Sequence, residues 1–338
     1  MGKVIEERRR FSDGRFEELR ALLIDAPDIC AGKACVYATG SFGRCEASKH
    51  SDIDLFIVSL SDYDDKKRVE IGRLTRLNEI LLKADLIRAS DKLKFPRFSR
   101  DGQFLQHHTA RKLIQSTGNQ NDDAENTFTA RLLLLLESKP LAGSEVHART
   151  IDDVIGKYWR EWPDYQNQFM PAYLANDILR YWRTLCLNYE ASPSEQSPSE
   201  QSKPERAKRK IKNYKLKHSR MLTCYSAILF LLFVYSRKGT VSVSDAQKMV
   251  SLTPTGRVEY VANELSGSDP ATCIHDFLGK YERFLEVTNA SVEDLVSRFS
   301  DESEIRKLRE EQSEFGDLAY EILYSIGHKN RLYRRLVI

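Results

Sequence analysis

A chain of 338 residues, 41% hydrophobic and 30% charged, is long enough for two domains and apolar enough to give each a core. Its net charge of +3 excludes indiscriminate nucleic-acid binding by the whole molecule. The six cysteines show no Cys-x-x-Cys and no paired Cys/His spacing, which excludes a readable zinc site.

The N-terminal MGKVIEERRRF lacks the apolar stretch of a signal peptide, so a reducing cytoplasm is the expected compartment. Ser12 opens a helix expected over 12–24, with Phe16, Leu19, Leu22 and Leu23 at helical spacing. Residues 34–38 (ACVYA) read as a short strand ending at Thr39–Gly40. Residues 52–60 (DIDLFIVSL) read as a buried strand with its acids only at the start. Val69, Ile71, Leu74, Leu77 and Leu81 predict a helix over 64–83. A third extended segment follows over 98–107, although Asp101–Gly102 could break it as a turn.

The chain then turns helical. The Asn/Asp-rich stretch 118–126 can start a helix running through 131–138, and another is expected over 171–189. Residues 191–204 (ASPSEQSPSEQSKP) repeat SPSEQ twice and lack apolar side chains, so they read as a disordered insertion. A long helix is expected over 205–237. Its greasiest part, 225–235, is too short for a bilayer, which needs about 20 apolar residues, and reads as a core helix with no membrane partner. Helix starts are expected at Ser244–Gln247 and Ser291–Asp294 as capping boxes, and at Thr253–Pro254 as N-cap and first-turn proline. The expected fold is an α/β (α+β) core with a small mixed sheet over 1–125, followed by a larger all-α domain over 126–338.

The segment that carries chemistry is 39–60, TGSFGRCEASKHSDIDLFIVSL. Gly40–Ser41 follows a strand directly, and after ten further residues Asp52 and Asp54 head the next one. Residues two apart on a strand face the same way. Two adjacent carboxylates repel each other unless a cation sits between them, and such oxygen ligands suit Mg²⁺ with phosphates completing its shell. Gly40 permits close backbone approach, and Ser41 with the N–H groups of the following turn can hold a phosphate. Either pair alone is usually a turn or a solvated cap. The order strand, Gly-Ser, spacer, Asp-x-Asp, apolar strand is far more specific.

This arrangement resembles the signature of the DNA polymerase β-like nucleotidyltransferase superfamily. The fuller string G-S-F-G-R-x-E followed by S-D-I-D-L most resembles its bacterial signal-protein uridylyltransferase branch. The likeness thins after residue 60, beyond a weak match of the Leu-rich stretch 127–142 to that branch's joining helix. Nothing resembles the phosphohydrolase or regulatory domains of the full enzymes, and His107–His108 reads as a structural pair. The resemblance implies two-metal phosphoryl transfer. Asp52 and Asp54 would ligate two Mg²⁺ or Mn²⁺ ions, and Gly40 and Ser41 would grip the triphosphate of an NTP. Arg44 would touch phosphate, or else pair locally with Glu46 or Asp52. A third catalytic and metal-binding carboxylate is expected at Asp101; Asp85 is the alternative, and Gln103 could occupy the acidic position instead.

The charge along the chain is uneven. From Lys203 to Arg220 there are nine Lys/Arg against one Glu, so this segment carries +8 and the remainder −5. Three readings stay open for it: a solvated helix face, an RNA-binding stripe, or Lys215, Lys217 and Arg220 neutralising the nucleotide's triphosphate. The leading expectation is transfer of an NMP from an NTP to a hydroxyl of a protein or RNA acceptor, with release of pyrophosphate. The alternatives are an oligonucleotide cyclase and a catalytically weakened nucleotide-binding module.

Overall fold

Ala34–Thr39 is buried at every position, as befits a central strand covered on both faces. The computed structural model describes residues 2–64, 66, 69–98, 105–191 and 202–337. In it this strand, β1, lies antiparallel to both β2 (Asp54–Ser59) and β6 (Lys139–Ala142). A short β5 (His107–Thr109) runs parallel to β2, giving the strand order β5-β2-β1-β6. The sheet is therefore small and mixed, as expected.

Alternation along the strands divides the core in two. Ala34, Val36 and Ala38 of β1 with Leu55 and Ile57 of β2 face Phe16 and Leu19 of α1 (Lys3–Leu22), Cys30 of α2 (Ala26–Cys30), and Leu82 and Leu86 of α4 (Arg76–Lys92). On the opposite face, Tyr37 stacks on Phe56 with ring centroids 5.7 Å apart. Phe56 in turn stacks on His108, and Tyr37 tilts against His147.

Two elements differ from expectation. The helix expected over 12–24 is α1 and begins at Lys3, so Ser12 is not its cap. Its buried hydroxyl instead donates to the Arg8 carbonyl and accepts the Ala47 N–H at 2.8 Å. Within 64–83, the first part is a hairpin of β3 (Ser61–Asp64) and β4 (Val69–Gly72), and α4 starts only after the Thr75 cap. Val69 and Ile71 are two apart, the period of a strand and not the spacing of one helix face. Of the extended segment expected over 98–107, residues 99–104 lie outside the described residues.

The chain forms two compact units, Glu6–Arg160 and Glu161–Ile338 with Met1–Ile5. The boundary expected near 125 falls inside the first unit. After α5 (Ala110–Gln115) and α6 (Asn121–Ala124), α7 (Thr127–Glu137) returns the chain to the sheet, where β6 pairs with β1 and α8 (Ser144–Tyr158) follows. Arg131 on α7 is fully buried and grips Asp122 through two hydrogen bonds, with its Nε donating to the Tyr158 hydroxyl. A buried ion pair of this kind needs all its donors satisfied to hold, and this one fixes α7 against α6 and α8.

The second unit is helical. It holds α9 (Trp162–Tyr165), α10 (Ala172–Ala191), α11 (Lys203–Lys215), α12 (Met221–Lys238), α13 (Val243–Ser251), α14 (Pro254–Glu264), α15 (Asp269–Val287), α16 (Val292–Arg298), α17 (Glu302–Gly327) and α18 (Arg331–Val337). The expected insertion lies mostly outside the described residues, which resume at Ser202, a capping box with Glu205. The expected long helix is present as α11 and α12 joined by a π-helical turn, Leu216–Arg220. Residues 203–238 are long and apolar enough by composition to cross a membrane, but 78% of the apolar window is buried inside the protein, as in a core helix. His218, on the π turn, lies between the rings of Phe284 and Phe315, each 4.8 Å away. The capping box expected at Ser244 is found two residues earlier, at Ser242 and Asp245, because the chain is still extended at Ser242. Thr253 caps α14 with Pro254 in its first turn, as expected. Ser291 caps α16 through the Asp294 N–H.

Candidate active site

Strand β1 ends opposite the start of β2, with Thr39 registered against Asp54. The next residue, Gly40, has φ +64° and turns the chain into the one-turn helix α3 (Gly40–Gly43). A β-carbon at Gly40 would stand 2.7 Å from Asp54 Oδ2. Glycine is thus required twice here, for a left-handed backbone and for the approach of a carboxylate. Gly43 is equally constrained, since a side chain there would collide with the Glu137 carbonyl.

Asp54 shares its face of the sheet with Phe56 and Val58. Asp52 precedes the strand and is exposed, while Ile53 between them is buried. The sequence expectation that both acids begin the strand is met by Asp54 alone. Asp52 keeps the two-residue spacing from a loop.

Behind the turn lies a charge cluster of which the sequence offered only the local Arg44–Glu46 pair, as one of two readings. Glu137, the last residue of α7, is 2% exposed; its Oε1 accepts the Gly40 N–H at 3.1 Å and its Oε2 accepts Arg44 Nη1 at 2.8 Å. Arg44 Nε donates to Glu46 Oε2, also at 2.8 Å. Arg44, expected to touch phosphate or pair locally, is buried between Glu46 and Glu137, where it links the turn to α7. The only trace of Glu137 in the sequence is a single acid at the end of the Leu-rich run RLLLLLE.

The loop between the turn and the acids is held from α1. Arg8 Nη1 donates to the Ala47 carbonyl, and Ser12 accepts the Ala47 N–H. A tight turn at Ser48–Ser51, closed by the Ser51 N–H on the Ser48 carbonyl, then presents Asp52. Burial holds the Cys45 thiol above its ordinary value, with Lys139 opposing, so it is not poised as a thiolate.

Asp85, the alternative third carboxylate, is buried on α4. Its Oδ2 accepts the N–H groups of Ile24, Asp25 and Ala26, all at 3.0 Å, and so caps α2. Asp101 and Gln103 lie outside the described residues. Among the described residues, no three acidic, His or Cys side chains gather as a metal site. His107 bonds Ser59 and Glu79 at the sheet edge, and burial pushes His108 down to about 4. Lys215, Lys217 and Arg220 belong to the helical unit. Lys215 is exposed, Arg220 is half-buried, and Lys217 Nζ sits 5.4 Å from the Trp182 ring centre. A cavity of about 630 Å³ in that unit, lined by Lys210 and by Arg306, Arg309 and Glu310 of α17, holds none of the motif residues.

Residues 27–103 match the family model of the nucleotidyltransferase domain. The match spans β1, the Gly40–Ser41 turn and the acids at the head of β2. The chain thus carries a nucleotidyltransferase domain on its small sheet, followed by a mostly helical region. No curated protein and no solved structure matches the chain.

Proposed function

We propose that the protein is a metal-dependent nucleotidyltransferase that moves an NMP from an NTP to a hydroxyl of a protein or RNA acceptor and releases pyrophosphate. The observation that carries this reading is the packing of the Asp54 carboxylate against the left-handed Gly40, within a segment that matches the nucleotidyltransferase domain. A carboxylate abutting a glycine turn, with a second acid two residues before it, is an all-oxygen donor set of the kind hard divalent cations take. Asp52 and Asp54 would hold Mg²⁺ or Mn²⁺, which supplies Lewis-acid stabilisation of phosphate charge.

The chain's own groups have separable tasks. The Gly40 N–H is committed to Glu137, so the grip on the triphosphate falls to the Ser41 hydroxyl and the N–H groups that follow in the first turn of α3. Arg44 and Glu137 position that turn from behind. Asp85 is spent on α2, so Asp101 takes the part of third carboxylate and accepts the acceptor's proton in this reading.

Incubation with each α-labelled NTP, Mg²⁺ or Mn²⁺ and host lysate tests the proposal. Label on a protein or RNA should appear with the native chain and fall at least ~100-fold in Asp52→Ala/Asp54→Ala. Equal labelling by that variant overturns the assignment. A labelled cyclic product from NTPs alone would replace the acceptor reading, and binding without label would reduce the protein to a nucleotide-binding module.

A further inference from the structure

Helix α4 is apolar on two sides. Its inner side sends Leu82, Leu86 and Ala89 into the core of the sheet unit, as an amphipathic helix requires. On the outer side Leu77, Ile80, Leu81 and Ile87 are 73%, 55%, 48% and 41% exposed. A single exposed leucine needs no explanation, but four such side chains on one arc of a helix make a contiguous patch.

Arg76, Ile80, Ala84, Ile87 and Asp91 follow at steps of four, four, three and four residues, and so form one row along that arc. The row is its own mirror about a midpoint between Lys83 and Ala84, except that its ends carry opposite charges. Laid antiparallel on a second copy, Ile80 meets Ile87 and Arg76 meets Asp91, each contact occurring twice by two-fold symmetry. Ala84 falls at the crossing point, where a small side chain lets two helix axes approach to roughly 8–10 Å. Helix α2 is held to α4 through Asp85, on the other side of the helix from this row.

The end charges say what covers the patch. Helix α4 starts after the Thr75 cap and ends at Lys92, so Arg76 stands in its first turn and Asp91 in its last. Each has the wrong sign for the helix dipole, which favours acids at the start and bases at the end. Both are exposed, and neither has an ion-pair partner among the described residues. Glu79, the acid one turn beyond Arg76, is taken by Lys83 and His107. An antiparallel copy supplies the missing partner of both charges at once.

We infer that the outer face of α4 is a self-association surface, on which two copies of this chain pack antiparallel with Ile80 on Ile87 and Arg76 on Asp91. A helix of another protein or a lipid surface would also cover an apolar stripe. Neither calls for opposite charges at the two ends of a symmetric row, as a second copy does. This inference stands on the sheet unit alone and does not depend on the proposed reaction.

The test is sedimentation equilibrium of the full chain over ~1–200 μM, since one helix pair is a small interface and the dimer should be reversible. Ile80→Glu/Ile87→Glu should weaken association at least ~10-fold. Arg76→Asp and Asp91→Arg should each weaken it roughly 5–10-fold, by setting like charges opposite one another at both ends. Arg76→Asp/Asp91→Arg together should return it to within ~3-fold of the native chain, because the pairs re-form with signs exchanged. Each reversal suits the helix dipole, so thermal midpoints should not fall and a lost dimer is not a damaged helix. Three results would each overturn the inference: a monomer at every concentration, a dimer indifferent to Ile80→Glu/Ile87→Glu, or no recovery in the combined charge reversal. A monomer that sediments with phosphatidylserine vesicles would give the face to a membrane instead.

Discussion

Gly40 is where local sequence and chemistry meet. Its left-handed φ and the nearness of Asp54 Oδ2 both act against any side chain. Gly40→Ala is expected to cost about 1–2 kcal/mol from backbone strain alone. It should also push Asp54 aside and weaken Mg²⁺–NTP binding. Gly14→Ala is the control, because that site in α1 is open and alanine there favours the helix. Denaturant midpoints and nucleotide affinities of the two variants separate the effects. Equal nucleotide affinity would show that the Asp54 contact is irrelevant to binding. The meeting of Gly40 with Asp54 was legible in the sequence because both lie within one short segment whose spacing is itself the signal. Glu137 was not, because it meets Gly40 from 97 residues along the chain and a lone acid carries no periodicity.

At the scale of elements, α7 ends at the place where α3 begins, and Glu137 joins them. Glu137→Gln leaves an oxygen for the Gly40 N–H but turns an NH₂ toward Arg44, donor against donor. Breaking a buried charge pair in this way is expected to cost about 3 kcal/mol. A loss under about 0.5 kcal/mol in urea unfolding would mean that the Arg44 cluster is not a structural hinge of the turn. The same scale shows where pattern reading was ambiguous. In 61–72, Ile71 continued the helical spacing of Leu74, Leu77 and Leu81, but its step from Val69 is the period of a strand, and the backbone took the hairpin. In α1, Ser12 had the chemistry of a cap but used it inward, on Arg8 and Ala47, and only tertiary structure could reveal that. The strands β1 and β2 and the core helix α12 were readable because burial on all sides leaves an unbroken apolar run.

At the scale of the whole molecule, both units store neutral histidines. Burial pushes His108 and His147 in the sheet unit, and His218 in the helical unit, down to about 4 from the usual 6.5. A histidine with a depressed folded value contributes stability that is complete above pH 6.5. That stability is lost as pH falls from 6.5 toward 4, because the unfolded chain takes up the proton first. Each should cost on the order of 2 kcal/mol at pH 5 relative to pH 8. Urea unfolding at these two pH values checks it. His218→Phe, apolar and able to stack between Phe284 and Phe315, should reduce the loss by about one third. An unchanged pH dependence in that variant would show that His218 is already charged or solvated in the folded state.

The order in which the sheet closes has a consequence for biosynthesis. Strand β1 pairs with β2 as soon as residue 59 is available, but its other edge waits for β6 at Lys139–Ala142. The Gly40 N–H likewise waits for Glu137. A nascent chain that has emerged only as far as residue 103, the end of the part that matches the nucleotidyltransferase domain, therefore exposes an open strand edge and an untethered turn. During translation the sheet is an unfinished template for some forty further residues, the period in which it is most open to wrong pairing. The arrival of α7 and β6 pairs that edge of β1 and anchors the turn in one step, so the exposed interval ends for both at the same moment.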